Sequence, residues 1–147
     1  MSRHGAVRVC RLASVFYMPA VALVVDDSML IRYTVGRRLE EYGFTVESAG
    51  NGVEALEILN RVPPDLIVTD LEMAKMSGQE LIAAVRSKPK TAQIPIIIVA
   101  SRSSGSKEAE KLANFLVYKD IDIEEQLGKA LKALRIKTSP KKRSATK

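Results

Sequence analysis

Three aspartates follow two short apolar segments of the chain. Asp26 and Asp27 come directly after residues 20–25, and Asp70 follows residues 66–69. Both segments are rich in β-branched residues, which is typical of buried parallel strands. Because open α/β sheets bind ligands beyond the carboxyl ends of their strands, we expect the three carboxylates to converge there. Converging carboxylates repel one another unless a cation joins them, and oxygen ligands suit Mg²⁺ or Mn²⁺. The sequence therefore predicts a divalent-cation site.

Strands and helices alternate around these aspartates, from residue 20 to residue 134. The predicted strands cover residues 20–25, 44–49, 66–69, 94–100 and 115–118. The predicted helices cover residues 28–42, residues 53–61, a segment after residue 78, residues 106–114 and residues 123–134. Ser28 and Ser106 are expected to cap the first and fourth helices. This alternation predicts a doubly wound α/β fold, with right-handed crossovers and helices on both faces of a five-stranded parallel sheet.

The length and composition fit one soluble globular domain. The chain has 147 residues, of which 46% are hydrophobic and 27% charged. No apolar segment approaches the ~20 residues that span a bilayer. Cys10 is the only cysteine, so no internal disulfide forms and a reducing, cytoplasmic compartment is expected. His4 is the only histidine, which excludes a histidine-based metal centre in the core and disfavours a catalytic triad or a phosphohistidine carrier.

The net charge of +6 comes from the two ends of the chain. Residues 1–19 and 135–147 carry basic but no acidic residues, whereas all 17 acids lie in residues 20–134. The central part is mildly acidic, which disfavours nucleic acid as a partner; such binding would rest on the C-terminal segment, which we expect to be a disordered basic tail. Residues 1–19 are a disordered extension, a targeting segment, or sequence upstream of a true start at Met18. A disordered or artefactual extension is favoured, because such termini are often untethered.

Several spaced segments of the chain together resemble the receiver domain of bacterial response regulators. They are residues 23–28, 68–73, 76–78 and 118–119, in that order. The resemblance covers residues 20–134 and is closest to chemotaxis-like receivers. It implies a flavodoxin-like sheet of order 2-1-3-4-5 and a role in two-component phosphorelay signalling. In that role a phosphoryl group passes from a kinase phosphohistidine to one aspartate, and the receiver becomes a phosphoprotein.

The resemblance also implies a role for each site residue. Asp70 resembles the phosphoryl acceptor, and Asp26 and Asp27 resemble the Mg²⁺ ligands, together with Asp70 itself and the backbone carbonyl of Glu72. Lys119 resembles the lysine that pairs with the acceptor and then with the phosphoryl oxygens. The physical chemistry agrees, because phosphoryl transfer needs its developing negative charge neutralised by positioned cations.

The chain departs from the family pattern where a receiver relays phosphorylation to its output surface. Ala100 occupies the position of a threonine or serine, and Leu116 that of the switch aromatic. Ser101 replaces the missing hydroxyl only if the strand bulges or its register slips by one residue. Asp120 follows Lys119 in place of a proline and is expected to hold the lysine in part. We therefore expect Asp70 to be phosphorylated without the usual threonine–aromatic relay.

Two charged residues are expected at the rim of the site. Glu72 lies two positions after the acceptor, and Arg102 lies two positions after Ala100. One hypothesis is that they pair across the mouth and shield the acyl phosphate from water. The alternative, two solvated charges, is about as plausible, and such a pair contributes little to stability.

Two other functions compete with phosphoryl acceptance. A phosphatase of the haloacid-dehalogenase type also uses an aspartate at the end of a strand, but its nucleophile normally lies on an early strand. A pseudo-receiver that binds a partner without being phosphorylated is the more serious alternative, and the altered relay favours it. The preferred interpretation is a monomeric or weakly dimeric protein that is no enzyme beyond self-phosphorylation and self-dephosphorylation, with no membrane partner. Its partners would be a histidine kinase or phosphotransfer protein and an unknown downstream protein, reached by protein–protein contact.

Overall fold

Five strands and five helices alternate along residues 19–102 and 107–138, which are the residues that the computed structural model describes. The strands are β1 Val21–Val25, β2 Thr45–Ala49, β3 Leu66–Thr69, β4 Ile96–Ala100 and β5 Phe115–Tyr118. The helices are α1 Met29–Glu41, α2 Gly52–Arg61, α3 Gly78–Ser87, α4 Lys107–Leu112 and α5 Ile123–Leu134. The predicted alternation is confirmed. No helix among these residues is long and apolar enough to cross a membrane.

All strand pairs are parallel, and the order of the sheet is β2-β1-β3-β4-β5. The predicted doubly wound, flavodoxin-like topology is therefore confirmed. Every residue of β3 and β4 is buried, as expected for strands covered on both faces. Because all strands run in one direction, the residues that follow them meet at one edge of the sheet.

Helices cover both faces of the sheet, and each face has its own hydrophobic core. Successive side chains of a strand point to opposite faces, so β4 contributes to both cores. Ile98 and Ala100 pack in the core that contains Leu81 of α3, whereas Ile97 packs in the core that contains Leu39 of α1. The buried strands are therefore held between two helical layers, which makes their carboxyl ends a rigid base for a site.

Side-chain caps begin the helices that flank the site. Ser28 accepts a hydrogen bond from the Ile31 amide at 3.2 Å and caps α1, as predicted. Asn51 caps α2 by accepting one from the Glu54 amide at 3.0 Å, so α2 begins one residue earlier than predicted. Ser77 and Glu80 form a capping box at the start of α3. The predicted cap at Ser106 lies outside the described residues.

The start of β4 and the segment beyond α5 both differ from the sequence prediction. β4 begins at Ile96 rather than at residue 94, because Pro95 has no amide hydrogen and Ile94 closes a turn by donating to the Thr91 carbonyl. Beyond α5, Ile136 packs against the core, and the Thr138 hydroxyl donates to the Tyr42 carbonyl at 2.6 Å. Ordered contacts therefore continue four residues past 134. The remaining parts of the two predicted tails, residues 1–18 and 139–147, lie outside the described residues.

Candidate functional site

The register of the two central strands brings Asp26 and Asp70 together. Val25 of β1 pairs with Thr69 of β3, so the residues that follow them are neighbours. The Asp70 amide donates to the Val25 carbonyl at 2.9 Å, which holds the two strand ends side by side. Carboxylate oxygens of Asp26, Asp27 and Asp70 lie within 4.8 Å of one another. Asp26 and Asp70 are buried and Asp27 is exposed, so the cluster opens to solvent on one side.

Lys119 reaches this cluster from the end of β5. Its backbone amide donates to the Ala100 carbonyl at 2.9 Å, which fixes the residue at the same sheet edge. Its ammonium Nζ lies 2.9 Å from Asp70 Oδ2 and 3.0 Å from Asp26 Oδ2. One ammonium therefore bridges the two buried carboxylates.

Asp26 has one oxygen that a backbone amide holds and one that faces the Lys119 ammonium. Its Oδ1 accepts a hydrogen bond from the Ser28 amide at 2.8 Å. Its Oδ2 is buried and accepts no aligned hydrogen bond, although the Lys119 ammonium lies at ion-pair distance. A carboxylate oxygen whose printed contact is this single ion pair retains lone-pair capacity for a further ligand. The residues therefore fit a divalent cation, which would gain this oxygen and those of Asp27 and Asp70 as ligands.

The electrostatic balance of the site also favours a cation. Burial raises the pKa of Asp26; the hydrogen bond from the Ser28 amide and the interaction with Lys119 oppose that rise, and the charge of Asp70 adds to it. Burial lowers the pKa of Lys119, but hydrogen bonding to Asp70 and Asp26 and their charges outweigh it, so the net effect is a raised pKa. The lysine thus stays protonated, and one ammonium faces three carboxylates.

Asp70 is held in a single orientation. Its Oδ1 accepts a hydrogen bond from the Leu71 amide at 2.7 Å and a longer one from the Glu72 amide at 3.4 Å. Its Oδ2 accepts one from Lys119. These hydrogen bonds fix the direction of the Asp70 carboxylate, which is 5% exposed.

Comparison with known proteins identifies the family. The family model described as the response regulator receiver domain matches residues 22–132. The chain belongs to this family. Response regulator MprA from Mycobacterium sp. (strain KMS) is 35% identical over 126 residues, which cover 84% of this chain and 54% of the relative. The chain thus spans about half the length of the curated relatives that it matches first.

Solved structures of receivers share the fold. Chemotaxis response regulator CheY4 of Vibrio cholerae is 32% identical, with a TM-score of 0.71 and coverage of 80% of this chain and 99% of that one. Response regulator TrrA from Thermotoga maritima, solved in complex with Mg²⁺-BeF, is also 32% identical. Its TM-score is 0.69, and the match covers 78% of this chain and 98% of that one.

This receiver has an apolar side chain where β4 ends. Ala100 is fully buried in the core with Ile98, and it pairs in register with Tyr118 of β5. Because the ladder is regular up to that pair, neither a bulge nor a register slip moves Ser101 into the strand position. Leu116, at the position of the switch aromatic, is partly buried against the same core.

Arg102 has a different partner from the one predicted. Its Nε lies 4.0 Å from Asp120 Oδ2, and its guanidinium lies 5.8 Å from the centre of the Tyr118 ring. Among the described residues, no ion pair joins Arg102 to Glu72, and none joins Lys119 to Asp120. Glu72 follows β3 and Asp120 follows β5, and both strands neighbour β4, so the order of the sheet places either residue near Arg102; the guanidinium lies on the β5 side, beside Asp120 and the Tyr118 ring.

The sequence prediction did not include three residues that contribute to the site. Arg32 donates a hydrogen bond at 2.5 Å to the backbone carbonyl of Asp26. Its position, one helical turn after Ser28, was a usable signal. Gly78 and Gly52 pack against the loop after Asp70 so closely that a Cβ at either position would overlap its atoms. Their contacts depend on how the loops meet, which no local pattern reveals.

Proposed function

We propose that Asp70 accepts a phosphoryl group from the phosphohistidine of a histidine kinase or phosphotransfer protein. The observation that carries the proposal is the Lys119 ammonium, 2.9 Å from Asp70 Oδ2 and 3.0 Å from Asp26 Oδ2, within a cluster of three carboxylates. A structural ion pair between Lys119 and Asp70 does not need a second buried carboxylate, Asp26, or the third carboxylate, Asp27, beside it. A phosphoryl-transfer site needs both.

The residues divide the chemistry among them. An Asp70 carboxylate oxygen attacks phosphorus, the phosphorus–nitrogen bond of the donor breaks, and the imidazole leaves with the bonding electrons and takes up a proton. Asp26, Asp27, Asp70 and the carbonyl of Glu72 would hold Mg²⁺ or Mn²⁺. When bound, the cation neutralises charge on the transferring group. Lys119 lies between Asp26 and Asp70, where its ammonium would stabilise the negative charge that develops on the phosphoryl oxygens.

An exposed apolar patch on α1 supports docking of the donor protein beside this site. Met29, Leu30 and Tyr33 are 74%, 71% and 60% exposed, and Met29 lies two residues after Asp27. Arg37 lies over the Tyr33 ring and adds positive charge at the edge of the patch. Apolar patches of this kind often mark interaction sites. The proposed donor surface is therefore apolar with an acidic rim.

We further propose that the signal leaves by protein–protein contact through an atypical switch. Ala100 has no hydroxyl to draw the following loop toward a phosphoryl group, and Leu116 replaces the aromatic that would respond. The unknown downstream protein would then recognise the phosphorylated site through another part of the surface. The proposal includes a cytoplasmic location, a monomer or weak dimer, and no turnover beyond the protein's own phosphorylation and dephosphorylation.

Incorporation of labelled phosphate from acetyl phosphate tests the proposal. The wild-type protein should be labelled only with Mg²⁺ present, and Asp70→Asn should abolish the labelling. Asp120→Asn is a matched control, because this aspartate lies beside the site but is half exposed and pairs only at 4.0 Å with Arg102. It should be labelled like the wild type. Absence of labelling in the wild type would support the binding-only pseudo-receiver instead.

A further inference from the structure

Two glycines, each the first residue of a helix, lie in close contact with the loop that follows Asp70. We call residues 71–77 the acceptor loop. A Cβ placed on Gly78 would lie 1.8 Å from the Asp70 carbonyl oxygen. A Cβ placed on Gly52 would lie 2.7 Å from both Cβ and Cγ of Met76, and 2.8 Å from the Met76 carbonyl oxygen. Real Cβ atoms do not approach other atoms so closely, so side chains at both positions would force the loop to move.

Hydrogen bonds restrain the first and last residues of the acceptor loop. The Gly78 amide donates to the Leu71 carbonyl at 2.9 Å, which ties the first residue of the loop to the start of α3. The Ser77 amide, in the last residue of the loop, donates to the Glu80 carboxylate at 3.0 Å within the capping box of α3. A displacement of Met76 must therefore be taken up by residues 72–75, where Lys75 is already left-handed with φ 68°. Glu72 belongs to that segment.

We propose that Gly52 is a positioning residue for the cation site. Its lack of a side chain lets the acceptor loop rest against the start of α2, and this contact sets the place of the Glu72 carbonyl relative to Asp26 and Asp27. The inference rests on the proposed function, because the Glu72 carbonyl matters only if the site binds a cation. It differs from a purely structural role in what it predicts: a side chain at Gly52 should weaken cation binding more than it weakens the fold.

Gly52→Ala tests this inference, with Gly36→Ala as the matched control. Both glycines are buried within helices, but a Cβ on Gly36 would meet only Val46 Cγ1 at an ordinary 3.5 Å. Calorimetric titration with Mg²⁺ should give a dissociation constant about tenfold higher for Gly52→Ala, the range typical when support of a metal ligand is lost. Gly36→Ala should bind Mg²⁺ like the wild type. Melting temperatures measured without Mg²⁺ separate the loss of binding from a loss of folding.

A second variant keeps the test sharp if Gly52→Ala folds poorly. Met76→Gly removes both side-chain atoms that a Cβ on residue 52 would strike, and a glycine also lets the peptide turn its carbonyl away. In the Met76→Gly background, Gly52→Ala should change the Mg²⁺ dissociation constant by less than about twofold, because the coupling of contacting residues is then removed.

Each outcome decides between the ideas. Weakened binding by Gly52→Ala that Met76→Gly rescues supports the inference. Unchanged binding by Gly52→Ala, or weakened binding that Met76→Gly does not rescue, overturns it while the cation site stands. The proposed cation site fails if the wild-type protein does not bind Mg²⁺, or if Asp27→Asn does not remove the binding. The role of Gly52 then fails with it.

Discussion

The ends of β1 and β3 differ from the ends of β4 and β5, although all four lie along one edge of one sheet. After β1 and β3, buried carboxylates are held by backbone amides and an ammonium at 2.7 to 3.0 Å. β4 ends at the buried apolar residue Ala100. Arg102, after β4, and Asp120, after β5, are exposed, and their charged groups lie 4.0 Å apart. The carboxylates of the cluster therefore follow β1 and β3, and the other half of the edge contributes to them the ammonium of Lys119.

Under the proposed function, this difference would make acceptance of a phosphoryl group and its relay separable within one fold. The buried half depends on the register of neighbouring strands and on close polar contacts, so a change in any member should have a large effect. In the other half, apart from Lys119 and the buried Ala100, the charged side chains make weak, solvated contacts, where most changes are expected to be small. Four substitutions test the comparison.

The largest effect is expected from Lys119→Met. The substitution keeps a similar length but removes the ammonium that faces Asp70 and Asp26, so the negative charge that develops during transfer has lost one of its cations. The rate of labelling by acetyl phosphate should fall by about 100-fold or more. Lys132→Met, on the exposed face of α5, is the control and should keep the wild-type rate. A fall of less than threefold for Lys119→Met would contradict a role in transfer.

Asp26→Asn should stabilise the protein in the absence of Mg²⁺ while weakening Mg²⁺ binding. The folded state raises the pKa of Asp26, chiefly by burial, so the ionised carboxylate costs stability once the pH exceeds that raised pKa. Below the carboxyl's ordinary range the cost is absent. The free energy of unfolding should therefore be higher than that of the wild type at pH 7.5, and the gain should vanish in acid. Urea unfolding at several pH values measures it; an equal gain at every pH would point to a cause other than charge.

Ala100→Thr should affect the relay half without disturbing acceptance. A hydroxyl at this buried position lacks a ready partner in the unphosphorylated protein and should cost about 1 kcal/mol in the free energy of unfolding. With fluoroberyllate and Mg²⁺ bound, the added hydroxyl should draw the backbone of Ser101 and Arg102 toward the site. Amide chemical shifts of these two residues should move more in Ala100→Thr than in the wild type. A large shift already present in the wild type would show that its relay needs no hydroxyl.

The smallest effect is expected from Arg102→Ala. Its contacts with Asp120 and the Tyr118 ring are exposed, so the free energy of unfolding should change by less than about 0.5 kcal/mol. Because Arg102 does not pair with Glu72, the dephosphorylation rate of the labelled protein should also remain within about twofold of the wild type. A several-fold faster loss of label would mean that Arg102 does cover the acyl phosphate when it is formed.

Much of the fold could be predicted from the sequence because the local preferences of the residues agree with the tertiary structure. Ser28 and Gly43 bound α1 as their types suggest, and the apolar runs became the strands that were predicted. The start of β4 was misplaced, since an apolar residue in the turn before Pro95 resembles a strand residue. The candidate aspartates were found because each follows a strand pattern, so a rule about strand ends located them without knowledge of distances.

The sequence by itself determined the order of strands and helices and the residue types at the ends of the strands, because periodicity and capping act over a few neighbouring residues. Only the tertiary structure decided which side chains share a partner. Lys119 lies 49 residues from Asp70 but bonds to it, a pairing that the family resemblance implied and no local pattern shows, and Arg102 lies beside Asp120 after β5 rather than Glu72 after β3, although both strands neighbour β4. The closeness of Gly52 to Met76 belongs to the same class, since such contacts arise from how distant loops pack.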